Sequence, residues 1–134
     1  MTIRSLDHVQ IAAPPGCEDD ARRFFGGLLG MAELEKPDSL RANGGAWFSA
    51  GSQELHVGVD RDFTPARKGH PAFEVDDLDG LAARLEEGGV EVEWDDRLPG
   101  ARRFYAHDPW GNRLELLAYS DSPESPPETI SRSK

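Results

Sequence analysis

Over the first 60 residues the spacing of hydrophobic and polar positions changes from strand-like to helical and back. Residues 3–13, IRSLDHVQIAA, alternate: Val9 and Ile11 share one phase, His8 and Gln10 the other, the period-two signature of a strand. After a Pro-Pro-Gly break, Ala21, Phe24, Phe25 and Leu28 recur at i, i+3, i+4 and i+7, one apolar stripe of an amphipathic helix. Glu18, Asp19 and Asp20 fall in its first turn, where acids complement the helix dipole, while Gly26 and Gly27 weaken its end and Gly30 stops it. Strands are predicted next over 31–35, 45–50 and 53–59, the last two forming a hairpin through a glycine-containing turn. Residues 36–44 between them read as a loop placed where something could cover a site.

The second half follows the same order. Residues 70–75 alternate as a strand, then Leu78, Leu81, Ala82 and Leu85 repeat the helical stripe, closed by Gly88-Gly89. Strands are predicted over 90–94, 102–107 and 112–118, the last pair joined by the strong turn signal Asp108-Pro109-Trp110-Gly111. A βαβββ unit thus occurs twice, at about 3–59 and 69–119, and internal repetition outweighs any single element. The pattern predicts an α+β fold built as one domain over residues 1–119. The remainder, 120–134, is rich in serine and proline with almost no apolar content, and is expected to be a disordered tail.

Composition narrows the function classes. The formal net charge is -10, with acids scattered through both halves and basic residues only in brief pairs, which disfavours nucleic acid and anionic membranes as partners. Cys17 is the single cysteine, so no intrachain disulfide can form. Its place near a helix start favours a thiolate, its acidic neighbours oppose one, and it is assigned no role. No apolar run is long enough to span a bilayer and the opening MTIRSLDH does not resemble a signal peptide, so the cytoplasm is the expected compartment.

Laying the repeat on itself aligns the ionisable residues. His8 and His70 open the first strands of the two halves, and the QELHV segment overlies NRLEL, matching His56 with Glu115. The separations agree: 48 residues from His8 to His56 and 45 from His70 to Glu115. In each strand these residues fall on the face opposite Val9, Leu55, Phe73 or Leu114. A curved sheet with helices on its outer face would therefore collect His8, His56, His70 and Glu115 on its concave side. Imidazole nitrogens and a carboxylate suit one divalent ion, Zn, Fe, Mn, Ni or Co. Glu54 shares the face of His56, and a two-residue shift in register would exchange them. Arg103 and Tyr105 share a phase on the seventh strand and Trp47 lies on the third, making them candidates for substrate contact. An inward-facing Arg103 would favour an anionic substrate group. His107 reads as structural or exposed, and Trp94 and Trp110 as packing residues rather than stacking platforms.

The segments LDHVQIA, GHPAFEVDDLDGLAARLEEGGV and FYAHDPWGNRLELL resemble the vicinal oxygen chelate superfamily of glyoxalases, bleomycin- and fosfomycin-resistance proteins and extradiol dioxygenases. The resemblance covers residues 3–119, and its most specific part is the D-P-x-G-N-x-x-E-L pattern from Asp108 to Leu116. It implies paired βαβββ modules in an open, cupped mixed sheet with outer helices, a homodimer, and metal positions on His8, His70 and Glu115. The remaining position falls on His56 or Glu54, and a histidine there departs from the commonest isomerase pattern. The implied activity is that of a metal-dependent lyase, isomerase or dioxygenase on a small molecule chelating through neighbouring oxygens, with Glu115 or Glu54 able to move a proton. The same family also contains non-catalytic drug-binding resistance proteins and thiol transferases of the fosfomycin-resistance kind.

Overall fold

The computed structural model describes residues 1–120, so the expected tail beyond Ser120 lies outside them. The alternating segment at the start of the chain becomes strand β1, His8–Ala13, which runs parallel to β4, Gln53–Val59. β4 pairs antiparallel with β3, Ala46–Ala50, and β3 with the short β2, Glu33–Leu34, giving a sheet ordered β1-β4-β3-β2. The second module repeats this plan with β5, Ala72–Glu74, β6, Glu93–Asp95, β7, Ala101–His107, and β8, Arg113–Tyr119, ordered β5-β8-β7-β6. The α+β fold of two βαβββ modules is thus the one anticipated from the repeat, each module contributing a four-stranded mixed sheet.

The helices show where local pattern and geometry part. The first, α1 at Glu18–Ala21, passes directly into a π-helical stretch, Arg22–Leu28, instead of keeping a 3.6-residue turn throughout. Leu29 N–H reaches back five residues to the Phe24 carbonyl at 2.9 Å, the bond of the wider turn. The stripe still does its work, since Ala21, Phe24 and Phe25 are buried. The segment 36–44 contains one turn of helix, α2 at Asp38–Arg41, rather than loop alone. The helix of the second module, α3 at Leu78–Glu87, buries Leu78, Leu81, Ala82 and Leu85 as its pattern requires, and Asp77 caps it by accepting from the Gly80 N–H at 3.1 Å.

Two predicted strand boundaries shift for identifiable reasons. β5 begins at Ala72, leaving His70 in the approach to the strand: Pro71 has no N–H to donate to a ladder, and only its carbonyl pairs, with Glu115 N–H at 3.1 Å. In the expected strand 90–94, Val90 and Val92 pack against the core and pairing starts only at Glu93.

The modules meet through side chains. Phe25 packs on Phe48 at 5.7 Å between ring centroids and on Trp110 at 6.4 Å, joining one helix to both modules. Asn112, fully buried, donates from Nδ2 to the Ala12 carbonyl of the other module and to Asp108 Oδ2, both at 2.8 Å, and accepts from Ala66 N–H at 2.9 Å. By contrast, β1 and β5 stand at the ends of their sheets, and both line an open cleft of about 1850 Å³. Ile3 and Leu6, just ahead of β1, are exposed. Among the described residues no helix is long and apolar enough to cross a membrane.

Candidate functional site

Strand register carries the repeat down to single residues. His56 lies opposite Gln10 on β1 and Trp47 on β3; Glu115 lies opposite Ala72 on β5 and Tyr105 on β7. His8 and His70, two residues before Gln10 and Ala72, are therefore equivalent, as are His56 and Glu115. Those equivalences coincide with the overlay drawn from the sequence. In the described chain, however, these residues form two separate half-sites, one per module.

The N-terminal half-site is a stack of rings. Trp47 lies on His56 at 3.8 Å and 2°, and His56 on His8 at 4.2 Å and 16°. His56, only 5% exposed, has Nε2 2.9 Å from Glu54 Oε1, so this nitrogen donates to the carboxylate. His8 sets Nδ1 2.9 Å from Asp7 Oδ2, which leaves its Nε2 lone pair available. Imidazole lone pairs lie in the ring plane. Two nearly parallel rings 4.2 Å apart therefore point their nitrogens side by side and cannot converge on one ion about 2.1 Å from each. In this arrangement His8 and His56 do not share an ion.

The C-terminal half-site is a chain of charges. His70 Nδ1 is 2.8 Å from the Lys68 carbonyl, and its Nε2 is 2.9 Å from Glu115 Oε1. The other carboxylate oxygen, Glu115 Oε2, accepts from Arg103 Nη1 at 3.1 Å. Arg103 also donates to Asp95 Oδ1, from Nε at 3.3 Å and Nη2 at 3.2 Å, and Asp95 Oδ2 accepts from Arg97 Nε at 2.7 Å. Glu115 is 6% exposed, and a carboxylate so buried requires such partners. Hydrogen bonds from Arg97, with Arg103 adding to them, hold the Asp95 carboxyl far below the usual carboxylate range. Burial works against the charge on Arg103, but its bonds to Glu115 and Asp95 outweigh that and raise its pKa. Tyr105 sits at the centre: His70 meets its ring edge-on at 5.6 Å, with Arg103 at 5.2 Å and Arg113 at 3.9 Å.

His70 is the informative member. A carbonyl can only accept, so Nδ1 must carry a hydrogen, which leaves the Nε2 lone pair of a neutral ring facing a carboxylate oxygen. That contact needs either a second ring proton or a cation lying between the two atoms. A separation of 2.9 Å is also that of two adjacent ligands each about 2.1 Å from one ion. The donor pair thus fits a divalent metal. Among the described residues no group of three or more His, Cys, Asp or Glu side chains is arranged to hold one. The cleft lined by β1 and β5 does not supply the missing ligands either: it reaches His8, Glu54 and His70 but not His56 or Glu115.

Other expected residues are placed plainly. His107 is exposed at the end of β7, Trp110 packs on Phe25, and Trp94, 47% exposed, carries Arg102 on its ring at 4.8 Å. Cys17 is buried, and burial first, then Glu18 and Asp20, push its thiol pKa up. Sequence reasoning missed Asp7, Asp95 and Arg113. Arg113 had a signal, since it shares the strand phase of Glu115; Asp95 had none, because only the β6–β7 register sets it opposite Arg103.

Against known proteins, the profile described as Glyoxalase/Bleomycin resistance protein/Dioxygenase superfamily matches residues 5–116. A glyoxalase family protein from Bacillus anthracis is similar in structure, with 46% identity and a TM-score of 0.86 over 89% of this chain and 98% of that one. Lactoylglutathione lyase from Agrobacterium tumefaciens shares the fold at 22% identity and TM-score 0.67, over 88% and 96% of the two chains. So does a mutant of the fosfomycin resistance protein FosX from Listeria monocytogenes, complexed with Mn(II) and 1S,2S-dihydroxypropylphosphonic acid, at 20% identity and TM-score 0.73, over 88% and 94%. No curated protein matches the chain.

Proposed function

The chain belongs to the glyoxalase/bleomycin resistance protein/dioxygenase superfamily, and on that premise we propose that it is a metal-dependent enzyme acting on a small molecule that chelates the metal through neighbouring oxygens. His70, Glu115 and His8 are its ligands for Zn, Fe, Mn, Ni or Co. The observation that carries this reading is the placing of His70 between two acceptors, Lys68 carbonyl and Glu115 Oε1, where Nε2 calls for a second proton or a cation and a metal ion meets that need. His8 supports it: Asp7 engages Nδ1 and leaves Nε2 for a ligand bond, the arrangement in which a carboxylate orients a metal-bound histidine. A superfamily fold already described with Mn(II) and a vicinal diol adds to this.

The third ligand comes from a second copy of the chain. Unpaired edges at β1 and β5, the wide cleft they line, and exposed Ile3 and Leu6 all favour a partner over solvent. Such a homodimer brings His8 of one copy to the His70–Glu115 pair of the other. When bound, the metal supplies Lewis-acid polarisation of the chelated oxygens. The chain does the rest. Arg103 and His70 fix the Glu115 carboxylate, Trp47 offers a ring face to the substrate, Tyr105 backs the arginines, and Glu54, about half exposed and bonded to His56, moves a proton.

The test is the metal content of protein purified without chelator. About one equivalent per chain is expected, and none in His70→Ala or in His8→Ala. Mixing His8→Ala with Glu115→Gln should restore metal in the mixed dimers, because each contains one intact combination. Absence of metal after incubation with all five ions would overturn the enzyme reading in favour of a metal-free binding protein.

A further inference from the structure

The two arginines against Tyr105 are not equivalent. Arg103 is fully committed to Glu115 and Asp95. Arg113 lies with its guanidinium 3.9 Å over the Tyr105 ring, and among the described residues it has no carboxylate partner and no side-chain hydrogen bond. One face of its guanidinium is therefore covered by an aromatic ring while the in-plane N–H donors are unused. Stacking of this kind restrains the group without consuming its hydrogen-bonding edge.

Position adds to this. Arg113 and Glu115 stand two residues apart on β8, on one face and about 7 Å apart along the strand. The local charge is balanced, unlike that of the whole molecule. Around Tyr105, Arg97, Arg103 and Arg113 stand with Asp95, Glu115 and Glu93, the last directly opposite Tyr105 on β6, in a chain whose net charge is -10. A divalent ion at His70 and Glu115 would turn that balance positive. A site that a bound cation makes positive, with one stacked guanidinium that has no carboxylate partner among the described residues, is complementary to an anion.

We propose that Arg113 is the residue that reads an anionic group of the substrate, a carboxylate, phosphate or phosphonate a few bonds from the chelating oxygens. This rests on the metal-site reading above and gives its substrate class. Arg103, which the sequence made the candidate for this task, holds Glu115 instead.

The experiment is calorimetric titration of the Mn(II)-loaded protein, its metal content measured beforehand, with two chelating probes. Acetohydroxamate is neutral beyond its chelating oxygens; succinate monohydroxamate carries a carboxylate two methylenes away. The wild type is expected to bind the acid about tenfold or more tightly than the neutral probe. Arg113→Ala should bring the two affinities together while metal content and acetohydroxamate affinity stay unchanged, and Arg113→Lys should keep part of the preference. Arg113→Gln, which retains a planar group against Tyr105, gives the same reading should the alanine variant fail to fold. Equal affinities in the wild type, no binding of either probe to metal-loaded protein, or a preference that survives in Arg113→Ala would overturn the proposal. Protein that takes up no Mn(II) would overturn the metal reading and this inference with it, a failure told apart from the others by the metal content alone.

Discussion

The two halves of the chain share one strand plan and differ in charge. At the central position, His56 of the N-terminal half corresponds to Glu115 of the C-terminal half, and Trp47 to Tyr105. One step along, Glu54 corresponds to Arg113, and Gly45 to Arg103. The first half therefore holds its histidines by ring stacking, and the second holds its carboxylate by an arginine. A duplicated backbone repeats the places where side chains stand; the residues at those places decide which half can fix a carboxylate for a metal.

The contrast at Gly45 and Arg103 is the sharpest to break. Gly45 has φ of 86°, and a Cβ there would stand 2.1 Å from the Val57 carbonyl oxygen. Gly45→Ala is expected to destabilise the protein by about 3 kcal/mol or more, read from the denaturant midpoint, because left-handed strain and a backbone clash act together. The corresponding change in the other half, Arg103→Ala, removes no backbone constraint but frees Glu115 Oε2. It should lower metal affinity about 10- to 100-fold, measured by competition with a chromogenic chelator, and Arg103→Lys should recover only part because one ammonium cannot span both carboxylates.

Removing the stack should have the opposite profile. Trp47→Leu is expected to cost about 1 kcal/mol in stability and to leave metal content intact, since Trp47 touches His56 while His8 keeps its bond to Asp7 and the His70–Glu115 pair is untouched. Loss of metal in this variant would show that the stack also positions His8 for the metal. The smallest effect concerns pH. The Gly45 N–H, 2.6 Å from Glu18 Oε2, is the main cause of the lowered Glu18 pKa. A carboxyl whose folded pKa lies below its unfolded value near about 4.3 contributes its full stability above that value and loses it as pH falls through the folded one. Glu18→Gln should therefore cost under about 1 kcal/mol at about pH 7 and nothing measurable at about pH 2, by denaturation at the two pH values.

Much of the architecture is legible in the sequence because it rests on local periodicity. Leu78, Leu81, Ala82 and Leu85 mark a helix face wherever they occur in that spacing, and Gln53–Val59 is a strand with the bounds its alternation predicts. The π-helical turn at Arg22–Leu28 is not legible, since the same apolar stripe of Phe24 and Phe25 suits either helix. The site divides in the same way. Repeat alignment and strand phase are enough to pair His8 with His70 and His56 with Glu115. Neither shows that His56 lies flat between Trp47 and His8, or that Arg103 turns from the substrate to Glu115.

What the sequence by itself determined is the order and type of the elements, their duplication, the face on which each ionisable residue stands, and the family. These follow from interactions between residues near in the chain and from a period-two geometry that admits two faces only. Tertiary structure alone decided the partners: Asp95 from β6 against Arg103, Asn112 against Ala12, His70 between Lys68 and Glu115, Arg113 stacked over Tyr105. Such contacts depend on strand register and on rotamers chosen under packing, where a displacement of one residue reverses the face and a few ångströms remove the bond.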